Sequence, residues 1–153
     1  MLLLVFQLGG DRFALDTRQV VEVLPPVQCR PLPQAPIGVA GVFSYHGAPV
    51  PLLDLAALAL GTPSRPRMST RIILVNYEDA GETHLLGLLA EKTTATIRRT
   101  DAEFADSGVA VDSAPYLGPV TSDERGMIQR VELNELLPES ARAILFRQPL
   151  EPA

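Results

Sequence analysis

The chain has 153 residues, 46% hydrophobic and 20% charged, enough apolar material for a buried core and too little charge for a disordered chain. A net charge of -5 with scattered arginines excludes the clustered basic face that a nucleic-acid partner needs; the closest approach to one, Arg65, Arg67 and Arg71, reads as a solvated loop. A lone cysteine, Cys29, excludes an internal disulfide, fits a reducing compartment and reads as a small half-buried apolar residue.

The apolar start, residues 1–6, lacks a basic lead and is soon broken by Gln7, Gly9, Gly10 and Asp11, so it reads as a strand and not as a signal peptide. No run approaches the roughly 20 apolar residues of a membrane span. The chain is therefore expected to be cytoplasmic, without direct membrane insertion.

Short apolar runs separated by turn residues predict an all-β domain. Residues 2–8 and 12–15 form a hairpin around Gly9-Gly10-Asp11. Asp16 with Gln19 resembles a capping box and predicts one helical turn, after which Val20, Val21 and Val23 favour extension until Pro25-Pro26. The prolines of residues 30–36 predict an unpaired loop. Residues 38–55 predict two strands around His46-Gly47, the second at an edge or beside a bulge because of Pro49 and Pro51. Residues 55–60 predict a short helix stopped by Gly61.

The second half repeats the style without an obvious repeat in sequence. Strands are expected over 70–77, 85–89 and 93–98, a loop over 101–115, and a strand pair over 116–120 and 127–131. Residues 134–147 carry helical spacing, with Leu136, Leu137, Ala141, Ile144 and Leu145 on one face.

Chemistry is sparse. His46 and His84 lie far apart, and neither has a metal-like spacing to another His or Cys. His84 reads as an exposed strand residue. No phosphate loop, nucleophile elbow or CxxC is present, so no catalytic residue, metal or cofactor is expected. Three acids sit beside apolar runs, Glu22, Asp54 and Glu91, each either paired within the fold or aimed at a binding surface.

The order Leu3-Leu4-Val5-Phe6-x-Leu8-Gly9, Phe13-Ala14-Leu15-Asp16, Val20-x-Glu22-Val23, Leu32-Pro33-x-Ala35-Pro36 resembles the opening of CheW-like domains. It continues through Val39-x-Gly41-Val42-Phe43-x-Tyr45-His46-Gly47-x-Pro49-Val50-Pro51-Leu52-Leu53-Asp54-Leu55, similar to that family's most recognisable stretch, and thins toward Met127 to Leu137.

The resemblance implies two SH3-like five-stranded β-barrel subdomains sharing a hydrophobic interface, with short helices and a C-terminal helix. Residues 1–64 would form the first barrel, 65–133 the second and 134–147 the helix, with strands free to cross between barrels. It implies a non-catalytic adaptor that docks the regulatory domain of a CheA-type histidine kinase and the cytoplasmic tip of a chemoreceptor, recruited to membrane receptor arrays. The expected partner-binding residues are Val20, Glu22, Val39, Gly41, Val42, His46 and Gly47, with Val20, Val39 and Val42 lining a groove between barrels. His46 replaces the family's arginine, and Glu91 stands where the family often has Asp. With almost nothing before the first strand and no receiver or kinase segment, a stand-alone adaptor is expected. The first 60 residues are similar to the adaptors of Wsp-type surface-sensing systems, whose output is a diguanylate cyclase regulator. A small-ligand-binding barrel, a structural subunit with another partner, and an enzyme remain the competing readings.

Overall fold

A computed structural model describes residues 1–65, 68–109 and 111–146, and in it the apolar runs 3–6, 13–15 and 72–75 are strand segments buried on both faces. The nine strands are β1 (Leu2–Leu8), β2 (Asp11–Asp16), β3 (Val20–Leu24), β4 (Val39–Tyr45), β5 (Ala48–Asp54), β6 (Arg71–Asp79), β7 (Glu82–Arg98), β8 (Leu117–Asp123) and β9 (Gly126–Val131). Two helices join them: α1 (Leu55–Leu60) after β5, and α2 (Glu139–Phe146) near the C-terminus. No helix among the described residues is long and apolar enough to cross a membrane.

Pairing sorts the strands into two five-stranded SH3-like subdomains. One runs β8-β9-β2-β1-β7, the other β3-β6-β7-β5-β4. A division at residue 64 is therefore corrected: β1 and β2 belong with β8 and β9, while β3, β4 and β5 belong with β6. The two expected strands at 85–89 and 93–98 are one 17-residue strand, β7, shared by both subdomains. Its first half pairs with β6 and β5, its second with β1. Between them Lys92 has φ 47, a left-handed kink, and the register to β1 shifts between Val5 and Gln7.

Because side chains alternate along a strand, each face of the apolar runs fills a different core. Leu3 and Val5 join Ala14 and Ile128 inside the first subdomain. Ile72 and Leu74 join Phe43, Val50 and Leu52 inside the second. The opposite faces, including Leu4, Phe6, Leu15, Leu53, Ile73, Val75 and Leu88, meet in one large cluster between subdomains. Both barrel interiors are thus filled by side chains.

β5 is not an edge strand as a whole. Its prolines lie in the part paired only to β4, and pairing to β7 begins at Leu52, beyond Pro51. The proline-rich loop makes one backbone pair, Arg30 with Val42, and Ala105 likewise pairs with Val120 in the 101–115 stretch. Asp16 caps a 3₁₀ turn (Thr17–Gln19) by accepting from the Arg18 amide. α1 ends as expected, with Gly61 at φ 76.

The C-terminal helix begins at Glu139 instead of 134, because Pro138 permits a first turn but not the preceding ones; Leu136 and Leu137 are buried in the approach to it. Ile144 is 42% exposed and off the packed face. His84, expected to be exposed, stacks on Phe146 at 4.5 Å and 15°, and Phe146 also packs on Tyr77. Of the three arginines read as a loop cluster, Arg71 donates to the carbonyls of Met68 and Thr70, and Arg67 lies outside the described residues.

An ion pair closes one end of the first subdomain. Arg12 binds Asp123 in a two-pronged contact at 2.8 and 2.5 Å and reaches the Gly126 carbonyl at 3.0 Å, tying the β8–β9 hairpin to β2. The guanidinium bond holds the Asp123 carboxyl well below the usual carboxylate range.

Leu53→Ala, at a fully buried interface position, should lose about 2–5 kcal/mol in denaturant unfolding. Ile144→Ala should stay within about 0.5 kcal/mol. Since the folded Asp123 carboxyl titrates below its unfolded value of about 4, its stabilisation is present above pH about 4 and lost as pH falls further. The stability gap between wild type and Asp123→Asn should therefore shrink from pH about 5 downward in acid titrations followed by circular dichroism. A gap that stays constant would contradict the assignment.

Candidate docking surface

Among the described residues β3 hydrogen-bonds along one edge only, to β6, and leaves Val21 and Val23 44% and 40% exposed. Val20 pairs with Val75, whose side chain faces the cluster between subdomains, whereas Glu22 pairs with Leu74, whose side chain faces the barrel interior. The register shift at Val21 thus points two expected site residues to opposite faces. Val20 packs against the shared cluster, and Glu22 turns out at the rim of the second barrel.

β4 repeats the device. Its register shifts between Val39 and Gly41, so Val39 reaches the shared cluster while Phe43 fills the barrel. Val42 pairs with Pro51 on the outer face and is not part of that cluster. Of the expected groove, the structure places Val20 and Val39 against one apolar body and Val42 apart from it.

Gly41 serves the backbone. At φ 151, a Cβ there would lie 2.2 Å from the Arg30 carbonyl oxygen, so glycine is what lets residue 30 pair with β4. Two bonds of 2.7 and 2.9 Å between Arg30 and Val42 result.

His46 and Gly47 form a two-residue turn between Tyr45 and Ala48, with φ values of 50 and 82. Positive φ at both positions is the geometry that matches hairpin twist. His46 is exposed, and its ring meets Tyr45 edge-on at 4.3 Å. Tyr45 in turn donates its hydroxyl to Glu22 at 3.2 Å. One polar cluster, Glu22–Tyr45–His46, therefore links the β3 edge to the hairpin tip. Partial burial raises the Tyr45 hydroxyl pKa, and the bond to Glu22 adds to it. Tyr45 is absent from the expected site; its signal was an aromatic directly before a turn, on the face shared with Phe43.

The other two embedded acids are structural. Asp54 caps α1 through the amides of Ala56 and Ala57 and also accepts from the Ser64 amide and hydroxyl, the latter at 2.6 Å. Glu91 accepts from the Arg65 amide at 2.8 Å. Cys29 is half-buried in the second barrel with its thiol toward the Ala40 carbonyl at 3.6 Å. Among the described residues no group of three or more His, Cys, Asp or Glu is placed to hold a metal ion. The largest described groove, about 970 Å³, lies outside both barrels between α1, residues 111–117 and α2.

Comparison with known proteins agrees with this architecture. A profile described as CheW-like domain matches residues 2–141. The chain is similar to a chemotaxis protein CheW of Rhizobium meliloti, 25% identical over 142 residues, covering 92% of this chain and 89% of the relative. It is also similar to a chemotaxis protein CheW of Bacillus subtilis, 21% identical over 88% of this chain and 85% of the relative. The crystal structure of the scaffolding protein TtCheW from Thermoanaerobacter tengcongensis superposes with a TM-score of 0.79 at 22% identity, covering 92% of this chain and 89% of that one. Two filled five-stranded subdomains in this order, and a family match over nearly the whole length, identify the chain as a member of the CheW-like domain family.

Proposed function

We propose that this chain is a non-catalytic adaptor that couples a chemoreceptor to a CheA-type histidine kinase in a chemosensory pathway. The observation that carries the reading is the Glu22–Tyr45–His46 cluster, where an unpaired strand edge and a hairpin tip meet on a surface with no reacting groups assembled on it. A strand edge offers backbone donors and acceptors, and exposed Val21 and Val23 flank it with apolar area, which is docking chemistry. The curated relatives named chemotaxis protein CheW and the scaffolding protein of the same fold support the same reading.

The partners we assign are the regulatory domain of the kinase and the cytoplasmic tip of the receptor. The chain works in the cytoplasm and is recruited to membrane arrays by them. Val20, Glu22, Val39, Val42, His46 and Gly47 form the docking residues, and Gly41 shapes the strand that carries two of them. His46 in place of the family's arginine offers a shorter contact at the hairpin tip. The output we assign, on the similarity of the first 60 residues to Wsp-type adaptors, is a pathway that controls a diguanylate cyclase. A ligand-binding barrel is disfavoured, because Phe43, Leu52 and Ile72 fill one interior and Leu3, Val5 and Ile128 the other.

The test is binding of purified chain to a receptor tip fragment and to the kinase regulatory domain by interferometry. Glu22→Lys, at an exposed site, should stay folded and weaken at least one partner by tenfold or more, about 1.4 kcal/mol. Val20→Asp should weaken receptor binding similarly while retaining its strand spectrum. Wild-type affinity in both folded variants would sink the assigned surface.

A further inference from the structure

The two ends of the first barrel are finished differently. At one end Arg12 is fully engaged by Asp123 and the Gly126 carbonyl. At the other, β2 and β9 bring Asp16 and Arg130 onto the face that carries Ala14 and Ile128, because Ala14 pairs with Arg130. Arg130 lies near enough to favour the charged Asp16 carboxylate, but no hydrogen bond joins them. Asp16 spends its carboxylate on Arg18, with bonds of 3.0 and 2.6 Å to the side chain and 3.0 Å to the amide.

Arg130 is left half-buried, its guanidinium 5.8 Å above the Phe104 ring, with no hydrogen bond or ion pair among the described residues. Its planar fork, still open to solvent, suits a two-pronged oxyanion. A cleft of about 610 Å³ opens in front of it, and Arg18 and Arg99 stand on its rim. The Arg18 side chain is 80% exposed and held at the rim by its bonds to Asp16. A second cleft of about 480 Å³ shares Arg130 and Asp101 with the first and adds Phe104, Leu117 and Pro119.

We propose that this barrel mouth binds a small phosphate-bearing molecule, its phosphate held by Arg130, Arg18 and Arg99. The adjoining cleft, with Phe104 on one wall, accommodates the organic part when there is one. Asp101 faces both clefts and opposes the anion, which keeps the site weak and reversible. The site lies at the end of the first barrel, formed by β2, β9 and the end of β7, whereas the docking cluster belongs to β3 and β4 of the second.

The test is a titration of the ¹⁵N-labelled full chain with inorganic phosphate, adenosine monophosphate and adenosine, followed through the Arg130 and Phe104 resonances. Phosphate and adenosine monophosphate should both shift them saturably and adenosine should not. A several-fold tighter response to the nucleotide would assign the organic part to the Phe104 cleft, and equal responses would assign recognition to the phosphate alone; either supports the site. Arg130→Gln should abolish the response. Arg18→Gln, its fold checked by circular dichroism, should weaken it at least threefold, and Asp101→Asn should tighten it. Absence of any response in the wild type, or an unchanged response in folded Arg130→Gln or Arg18→Gln, would overturn the proposal.

Discussion

The structure depends on one strand serving two barrels. β7 gives its first half to the second subdomain and its second half to the first, and the left-handed kink at Lys92 turns it from one to the other. Neither barrel holds its five strands without it. Because strands from both sides present one face to their own interior and the other to the common cluster, the three cores form together. Leu53, Ile73 and Val75 in one subdomain and Phe6 and Leu15 in the other are as buried in the shared cluster as Leu3 or Ile72 are in their own barrels. That interdependence makes the subdomains one folding unit.

How much of this was legible varied with the range of the interaction. Local chemistry read well: Gly9-Gly10 and His46-Gly47 both close two-residue hairpins, and Asp54 and Gly61 bound α1 at the expected residues. What depended on distant partners did not read. Residues 85–89 and 93–98 looked separate because Lys92 and Thr93 interrupt the apolar pattern, yet pairing to β1 carries the strand through. The division of strands between subdomains is invisible to alternation, since both faces of β1 and β6 are apolar and only tertiary contacts say which interior each face fills.

The site shows the same limit. Period-two spacing puts Val20 and Glu22 on one face, and the shift at Val21 separates them. The same kind of shift sets Val39 toward the shared cluster and lets Gly41 approach Arg30. Tyr45 joins Glu22 across the barrel from the other edge strand, a contact no sequence separation suggests. His84 was misread because its cover, Phe146, comes from α2. Bulges on the two edge strands therefore do double service: they stop uniform edge pairing and they set which residues remain outside.

The proposed adaptor role requires that the chain hold two proteins at once and make no chemical change in either. Sedimentation velocity of the chain mixed with a CheA-type regulatory domain and a chemoreceptor tip fragment tests it most directly. The account predicts a single faster boundary containing all three components. Displacement of one partner by the other, or sedimentation of the chain alone in the presence of both, would contradict it.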